Sequence, residues 1–287
     1  MAPSESRRSF LFGRREGGDD AWLRFLMRLR RSCQGPVALL PPKAARLLPA
    51  RLEDVLHARQ LCHEHAICMN LDGIALPDDS AGRYVLHVEA GSAWGSLIPL
   101  GTSGQWRVDA GCSIAAMKAA GLIHRDAPEG LKTMAQWLAL WADEDLAASG
   151  LVSVQWMFAD GTMEVLGPFG ATDSQPLLSV TAQKCIPKLF ELASMLTNQS
   201  ANTENPESAR GYYRLDALQG PAVNLAHFTL GHRATLGWVV AATFVSGTAL
   251  DPSDLKPGDT RAGVATDTDQ AIKQIMDPYV LFASLGD

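Results

Sequence analysis

The sequence predicts an α+β fold, because short β-rich segments are interleaved with segments whose apolar residues recur at helical spacing. The chain has 287 residues, of which 47% are hydrophobic and 20% are charged, so it can bury a large core. This composition excludes a disordered chain, a collagen-like repeat and a disulfide scaffold. The five cysteines are scattered without a C-x-x-C pair, and we expect them to be reduced thiols.

The charge of the chain is unevenly distributed. Residues 1–33 contain eight arginines and four acidic residues, a charge of +4, so the remainder carries −10 of the total of −6. An acidic body argues against a general nucleic-acid binder, which needs a basic surface for phosphate contacts. No apolar run approaches the roughly 18 residues of a membrane-spanning helix. We therefore expect a small molecule or a protein as the partner.

The N-terminal arm, residues 1–34, has two features of its own. The segment 6–11 resembles a twin-arginine export signal, but polar residues follow it instead of an apolar stretch, which favours a cytoplasmic protein over an exported one. From Asp20 to Cys33, apolar residues at helical spacing alternate with arginines, which predicts a basic amphipathic helix. This helix either packs on its own domain or uses residues 20–33 to dock on a protein partner or on the inner membrane surface.

A compact unit is expected from about residue 35. The Pro41–Pro42 pair and the segment to Pro49 indicate a break, after which residues with helical or β-strand patterns begin. Gly121 is placed to end a short helix. The elements expected in this part, in order, are a helix at 52–67, strands at 84–88 and 105–110, and a helix at 113–120.

Strands and helices also alternate in the second half. Apolar and tryptophan residues at helical spacing predict one helix, and the Asp160–Gly161 turn predicts a hairpin. Residues 251–287, rich in proline, aspartate and glycine, are expected to be a tail with few core residues. The elements expected here are helices at 131–146 and 187–196, and strands at 152–159, 163–166 and 236–245.

Three stretches of the chain carry a family resemblance. They are Pro49 to Pro77, which ends in Asn70-Leu71-Asp72-Gly73; Val108 to Leu122 with Lys132-Thr133-Met134 and Phe158-Ala159-Asp160-Gly161; and Ser208 to Leu215 with Gly231 to Gly237 and Ala241-Ala242-Thr243. In order and spacing they resemble the flavin-binding domain of the vanillyl-alcohol oxidase and p-cresol methylhydroxylase (PCMH) type. D-lactate dehydrogenases and glycolate oxidase subunits belong to the same group.

The resemblance implies a fold, a cofactor and a site. The fold would be the PCMH-type FAD-binding fold, with two α/β subdomains at about 35–110 and 111–250, a tail at 251–287 and no C-terminal cap domain. FAD would be the cofactor, and the catalytic residues are unknown. The residues expected to contact it are Asn70, Gly73, Gly111, Thr133, Arg210, Gly211, Tyr212, Gly231 and Arg233.

The glycine loops depart from the family pattern. A loop around a diphosphate needs glycines, whose backbone N–H groups can approach the phosphates closely. The first loop offers Gly73 beside Asp72, Asp78 and Asp79, whose carboxylates repel a diphosphate. Residues 133–136 replace the paired glycines of the second loop. In the third, Arg233 and Ala234 replace an acidic residue and a glycine, and we expect Arg210 and Arg233 to compensate in part as phosphate partners.

Two functions follow from this pattern. The first is an FAD-binding subunit of an oxidoreductase complex, whose family chemistry is the oxidation of a small hydroxy acid or alcohol with hydride transfer to flavin. The alternative is a degenerate, non-catalytic domain that serves as an assembly or interaction subunit of a larger complex. Both have protein subunits as partners, and neither involves nucleic acid.

Other constellations of reactive residues give weaker signals. The segment 62–68 holds two cysteines and two histidines, but His63 and His65 point to different helix faces, so no metal is expected. His227 and His232 are either proton-transfer groups or hydrogen-bonded turn residues. His87, His124 and Cys112 are undistinguished candidates for a covalent flavin link. The tryptophans are expected in the core, and no G-x-S-x-G, G-x-G-x-x-G or P-loop motif occurs.

Overall fold

The computed structural model describes part of the chain in detail. The described residues are 18–72, 74, 82–101, 103–123, 130–141, 145–170, 176–200, 212–220, 222–246 and 266–284. The twin-arginine segment and six residues singled out above lie outside them, namely Gly73, Asp78, Asp79, His124, Arg210 and Gly211. Two separate sheets, each combined with helices, confirm the predicted α+β fold class.

The first sheet lies in the N-terminal half of the chain. Its four strands are β1 (Val37–Leu40), β2 (Ala44–Leu47), β3 (Cys68–Leu71) and β4 (Val85–Val88), and their order in the sheet is β1-β2-β4-β3. The pair β1–β2 is antiparallel, and β4 runs parallel to both of its neighbours. The helices α1 (Gly18–Ser32) and α2 (Leu52–Glu64) belong to the same part of the chain.

The second sheet is antiparallel and has five strands. These are β5 (Leu97–Leu100), β6 (Gln105–Asp109), β7 (Leu151–Met157), β8 (Met163–Leu166) and β11 (Trp238–Val245), in the order β5-β6-β11-β7-β8. The strands β9 (Pro168–Phe169) and β10 (Val223–Asn224) form a separate short pair. The helices in this part are α3 (Ile114–Ala119), α4 (Met134–Ala139), α5 (Val180–Ser200) and α6 (Leu225–Phe228).

Helix α1 packs against its own domain. Phe25 and Leu29 are fully buried, the ring of Trp22 stacks on Tyr84 with 4.8 Å between centroids, and Arg28 forms a 2.7 Å ion pair with a glutamate of α2. The apolar stripe that sequence periodicity identifies is therefore used within the fold. In the part of the chain that the structure describes, no helix is long and apolar enough to span a membrane.

Two predicted helices have other boundaries in the structure. The helix predicted at 131–146 is the six-residue α4, because the carbonyl groups of Leu138 and Ala139 accept hydrogen bonds from the N–H groups of Gly231 and Arg233 instead of a further helical turn. The helix predicted to start at Pro187 begins at residue 180. Proline is typical of a first helical turn, but here it lies inside α5.

The expectation of few core residues in the C-terminal tail is wrong for residues 266–284. A capping box at Thr266 starts α7 (Asp267–Met276), whose Ile272 and Met276 are buried, and Phe282 adds a parallel bridge to Met69 of β3. The ammonium group of Lys273 holds this segment, with hydrogen bonds to Thr235 O (2.5 Å), Asp277 Oδ2 (2.8 Å), Ala283 O (3.0 Å) and Phe282 O (3.2 Å).

A buried carboxylate fixes the segment that joins α1 to the first sheet. The side chain of Asp54 accepts hydrogen bonds of 2.9 Å from the backbone N–H groups of Gln34, Gly35 and Ala50. Burial acts to raise the pKa of Asp54, but these donors lower it below its ordinary value. The carboxylate thus accepts hydrogen bonds from backbone N–H groups that lie outside any helix or strand and would otherwise lack a partner in the described part of the chain.

Replacing Asp54 by asparagine is expected to lower the free energy of unfolding by about 2 kcal/mol near neutral pH, because charge-assisted hydrogen bonds are lost and an amide donor faces backbone donors. Since the folded-state pKa is depressed, this contribution is present above the unfolded pKa and is lost as the pH falls through the folded pKa. Urea denaturation at about pH 7 and about pH 3 measures the loss of stability and its dependence on pH. Glu53→Gln, at an exposed position of the same helix, is the control. A difference from wild type that persisted unchanged at the lower pH would contradict this account.

Candidate functional site

The predicted cofactor residues that the structure describes fall into two groups. Asn70, Gly111 and Thr133 lie around the end of β3 and the start of α4, whereas Tyr212, Gly231 and Arg233 lie around Trp141. Asp72 links the first group to the second sheet. The roles of these residues toward a cofactor stay predictions, but their contacts within the protein are well defined.

Asn70 and Asp72 form the turn after β3. The Asn70 side chain is buried and donates a 3.0 Å hydrogen bond to the carbonyl group of Ile74, and its amide nitrogen lies 3.0 Å from Nδ1 of His87. The backbone N–H of Asp72 donates to Val88 O at 2.7 Å. Asp72 has a φ of 59°, a left-handed conformation that aspartate tolerates better than most residues. Both side chains therefore face into the protein.

The carboxyl group of Asp72 is buried where the two sheets meet. Its Oδ1 accepts a 3.1 Å hydrogen bond from Nε1 of Trp238 on β11, and its Oδ2 has no hydrogen-bond partner among the described residues. Gln136 of α4 donates to the Asp72 carbonyl group at 2.8 Å. Burial raises the pKa of Asp72 to about 7, while the side chain of Trp238 and the backbone N–H of Ala90 partly oppose the shift. We call Asp72, Gln136 and Trp238 the junction cluster.

Gly111 is in close contact with the protein's own backbone. A Cβ atom on this residue would overlap the carbonyl oxygen of Gly91 and would lie 2.9 Å from that of Ala90. Its N–H donates to Trp94 O at 2.9 Å. The need for glycine at this position is thus explained by the close approach of two protein segments.

The segment that replaces the paired glycines of the family is a capped, buried helix start. Thr133 is the N-cap of α4 and its hydroxyl oxygen accepts a 3.4 Å hydrogen bond from the N–H of Gln136. Met134 and Ala135 are completely buried.

The third predicted loop has the backbone conformation typical of glycine at Ala234, which stands where the family has a glycine. Arg233 and Ala234 both have positive φ, 51° and 58°, a conformation that is strained for residues with a Cβ atom. The guanidinium carbon of Arg233 lies 4.6 Å from the centre of the Tyr212 ring, in a cation–π contact. Gly231 has a φ of 73°, and a Cβ atom there would lie 2.8 Å from the carbonyl oxygen of Trp141.

A small cavity adjoins this loop. It has a volume of about 40 Å³, close to the roughly 30 Å³ share of one water molecule. Ligand pockets usually measure about 300–1,000 Å³. The residues around it include Trp141, Tyr212, Arg214, Gly231 and Arg233.

Both candidate histidines, His227 and His232, lie within hydrogen-bond distance of backbone carbonyl groups of the protein. His232 is fully buried, its Nδ1 lies 2.7 Å from Thr229 O, and burial lowers its pKa to about 4, so the ring is neutral at physiological pH. Burial also lowers the pKa of His227, whose Nε2 lies 3.2 Å from Leu151 O. The ring of Trp156 packs against His232 with 5.0 Å between centroids. These contacts are those of hydrogen-bonded turn residues.

The cysteine- and histidine-rich segment does not assemble a metal site. His63 packs against Tyr279, and His65 lies beside Phe25 and Arg28. Among the described residues there is no group of three or more histidine, cysteine, aspartate or glutamate side chains that could hold a metal ion.

Comparisons with known proteins find a similarity of fold. No family model matches the chain, and neither does any curated protein. Among solved structures, it is similar to xylooligosaccharide oxidase from Myceliophthora thermophila C1 (12% identity, TM-score 0.44), and 77% of this chain aligns with 42% of that one. It is also similar to a carbohydrate oxidase from Microdochium nivale (11% identity, TM-score 0.45), where 77% of this chain aligns with 42% of that one. A third similar structure is Physcomitrella patens BBE-like 1 (14% identity, TM-score 0.44), where 77% of this chain aligns with 43% of that one.

These matches agree with the resemblance that the sequence predicts, and they concern the fold alone. The chain spans less than half the length of the three solved structures.

The described residues do not fit a dinucleotide. Met134 and Ala135 are buried where the family has glycines, and the cavity beside Arg233 measures about 40 Å³. The buried carboxyl group of Asp72 has an unpartnered oxygen, which repels a phosphate when ionised. Sequence reasoning identified Asp72 as a departure from the family, but no sequence signal paired it with Trp238.

Proposed function

We propose that this chain is a non-catalytic domain on the PCMH-type fold that acts as an assembly or interaction subunit of a larger complex. The junction cluster is the observation that supports this proposal. The resemblance aligns the turn after β3 with the loop that holds the FAD pyrophosphate, and here that turn carries the buried carboxyl group of Asp72, bonded to Trp238. A diphosphate site needs backbone N–H donors or cations at this point.

The edge strands support the assembly role. Strand β1 is an outer strand of the first sheet and exposes Leu39 and Leu40, and β5 is an outer strand of the second sheet and exposes Ile98 and Leu100. Edge strands with exposed apolar side chains are templates for pairing with another chain. In this proposal a protein subunit is the partner, and the cytoplasm is where the two meet.

Helix α1 offers a second contact surface within the same proposal. Its outward face exposes Leu23 (56%) and Met27 (65%) among arginines, whereas its buried apolar side chains are Trp22, Phe25, Leu26 and Leu29. This face would provide the peripheral contact of residues 20–33 at the inner membrane.

A second candidate function is the FAD-binding subunit of an oxidoreductase complex. The turn at Arg233 and Ala234 favours it, because the backbone keeps the positive φ angles expected of a family glycine and places a cation beside Tyr212. In the family, the flavin takes a hydride from a small hydroxy acid or alcohol.

Absorbance spectroscopy and FAD titration distinguish the two functions. We expect the purified protein to be colourless between about 370 and 450 nm, where bound flavin absorbs, and to show no shift in melting temperature with excess FAD. Asp72→Asn serves as a companion variant: flavin uptake by the variant alone would identify the carboxylate as the excluding group. Saturable one-to-one FAD uptake by the wild-type protein would overturn the non-catalytic proposal.

A further inference from the structure

A cleft of about 610 Å³ lies between α5, α7 and the end of β7. Its volume is in the range of small-molecule sites, and none of the residues predicted to contact FAD lines it. Phe158, Cys185 and Met276 are among its inner residues, and Lys184, Lys188 and Tyr279 stand at its exposed rim. It is much larger than the cavity of about 40 Å³ beside Arg233 and is independent of the proposed function.

Two lysines give one wall of the cleft a positive charge. Lys184 and Lys188 are one helical turn apart on α5, so both side chains lie on the same side of the helix. Neither makes an ion pair or a side-chain hydrogen bond with any residue that the structure describes. Two neighbouring ammonium groups repel each other, and an anion between them would relieve that repulsion.

The acidic residue of the cleft is already engaged. Oδ2 of Asp160 accepts a 2.5 Å hydrogen bond from the hydroxyl group of Thr181, and Oδ1 accepts one of 2.8 Å from the N–H of Thr162. Burial acts to raise the pKa of Asp160, but these bonds hold it below its ordinary value. The carboxylate therefore fixes the turn between β7 and β8 to α5. Lys184 and Lys188 remain available to bind an anionic ligand.

The opposite wall of the cleft consists of apolar and aromatic residues, with Gln274 as its polar member. Ile275, Met276 and Pro278 line it, and Tyr279 is 52% exposed beside them. The Tyr279 ring is held by an edge contact with His63, 5.2 Å between centroids. On the α5 side, the thiol of Cys185 donates to Ile275 O at 3.3 Å, which ties the two helices together beneath the cleft.

We propose that this cleft binds a small amphipathic anion, a molecule with an aromatic or aliphatic body and one carboxylate, sulfonate or phosphate group. The anionic group would lie between Lys184 and Lys188, and the body would pack against Met276 and Tyr279. A wholly apolar ligand would leave the lysines without a counter-charge, and a simple inorganic anion would leave the apolar wall in contact with water.

Fluorescence titration with 8-anilinonaphthalene-1-sulfonate tests the proposal, because this probe combines an aromatic body with a single anionic group. We expect saturable binding at one site per chain. The double variant Lys184→Gln/Lys188→Gln should weaken binding by about tenfold or more, since two charge-assisted contacts are lost. The control Lys118→Gln makes the same type of change at an exposed position of α3, outside the cleft, and should bind like wild type.

A second variant separates shape from charge. Ala271 is half-buried at the cleft, and Ala271→Phe fills the space while both lysines remain. It should also weaken probe binding by about tenfold. Circular dichroism and urea denaturation establish that each variant is folded. Unchanged binding in the folded double variant, or binding without saturation, would overturn the proposal, whatever the outcome of the FAD titration.

Discussion

Replacing Asp72 by asparagine is expected to stabilise the protein above neutral pH by up to about 4 kcal/mol, while changing its stability little near pH 3. In the folded protein, burial raises the pKa of this carboxyl group from 3.8 to about 7. The folded state therefore binds the proton more tightly than the unfolded state does. As the pH rises from about 4 to 7, the wild-type protein loses this stabilisation, because an ionised Asp72 is buried with one oxygen unpartnered.

Asparagine is the suitable replacement at this position. It tolerates the φ of 59° and can still accept a hydrogen bond from Trp238, but it cannot ionise. Urea denaturation at about pH 3 and about pH 8.5 measures the effect, and Asp267→Asn, at the exposed start of α7, is the control that should keep the wild-type pH dependence. A wild-type stability as independent of pH as that of the Asp72 variant would contradict the burial of an ionising carboxyl group.

Gly111→Ala is expected to lower the free energy of unfolding by about 3 kcal/mol or more. The added methyl group would overlap the carbonyl oxygen of Gly91, and backbone atoms on both sides must move to admit it. Gly91→Ala is a matched control, because a Cβ atom there would meet only Leu48 Cβ at 3.9 Å, an ordinary contact distance. Far-UV circular dichroism with urea denaturation compares the two variants.

The result at Gly111 also bears on its predicted cofactor role. A glycine needed only to admit a cofactor could be replaced without loss of folding, whereas a glycine needed for packing could not. If Gly111→Ala were as stable as Gly91→Ala, residues 90–91 would not approach residue 111 as closely as the structure indicates. The cofactor explanation for this glycine would then be the better one.

Elements with a strong local pattern could be predicted from the sequence. The apolar spacing of α2 and the β-branched run of β11 depend on local periodicity, and both occur close to where they were predicted. The strands β1, β3 and β5 have four residues each, too few to establish a pattern. The early end of α4 depends on hydrogen bonds from Gly231 and Arg233, about a hundred positions away, which local sequence does not contain.

The candidate sites depend even more on distant residues. Asp72 stood out in the sequence as an acidic residue in a loop that should be rich in glycine. Its partner Trp238 is 166 positions away, and only the packing of the two sheets brings them together. The cleft likewise brings together Lys184 of α5 and Tyr279 of the C-terminal segment. The polar composition of that segment gave no indication that Ile272 and Phe282 belong to the core.

The bridge between Met69 and Phe282 has a consequence for how the protein folds during synthesis. Strand β3 is made early, but its neighbour at this edge emerges from the ribosome only after roughly 200 further residues. Until then the edge of β3 is uncovered, and the backbone N–H of Met69 lacks the carbonyl group of Leu281 to which it donates in the finished protein. Contacts so far apart in sequence slow folding, so the nascent first sheet has a long interval in which another strand or a chaperone can occupy that edge.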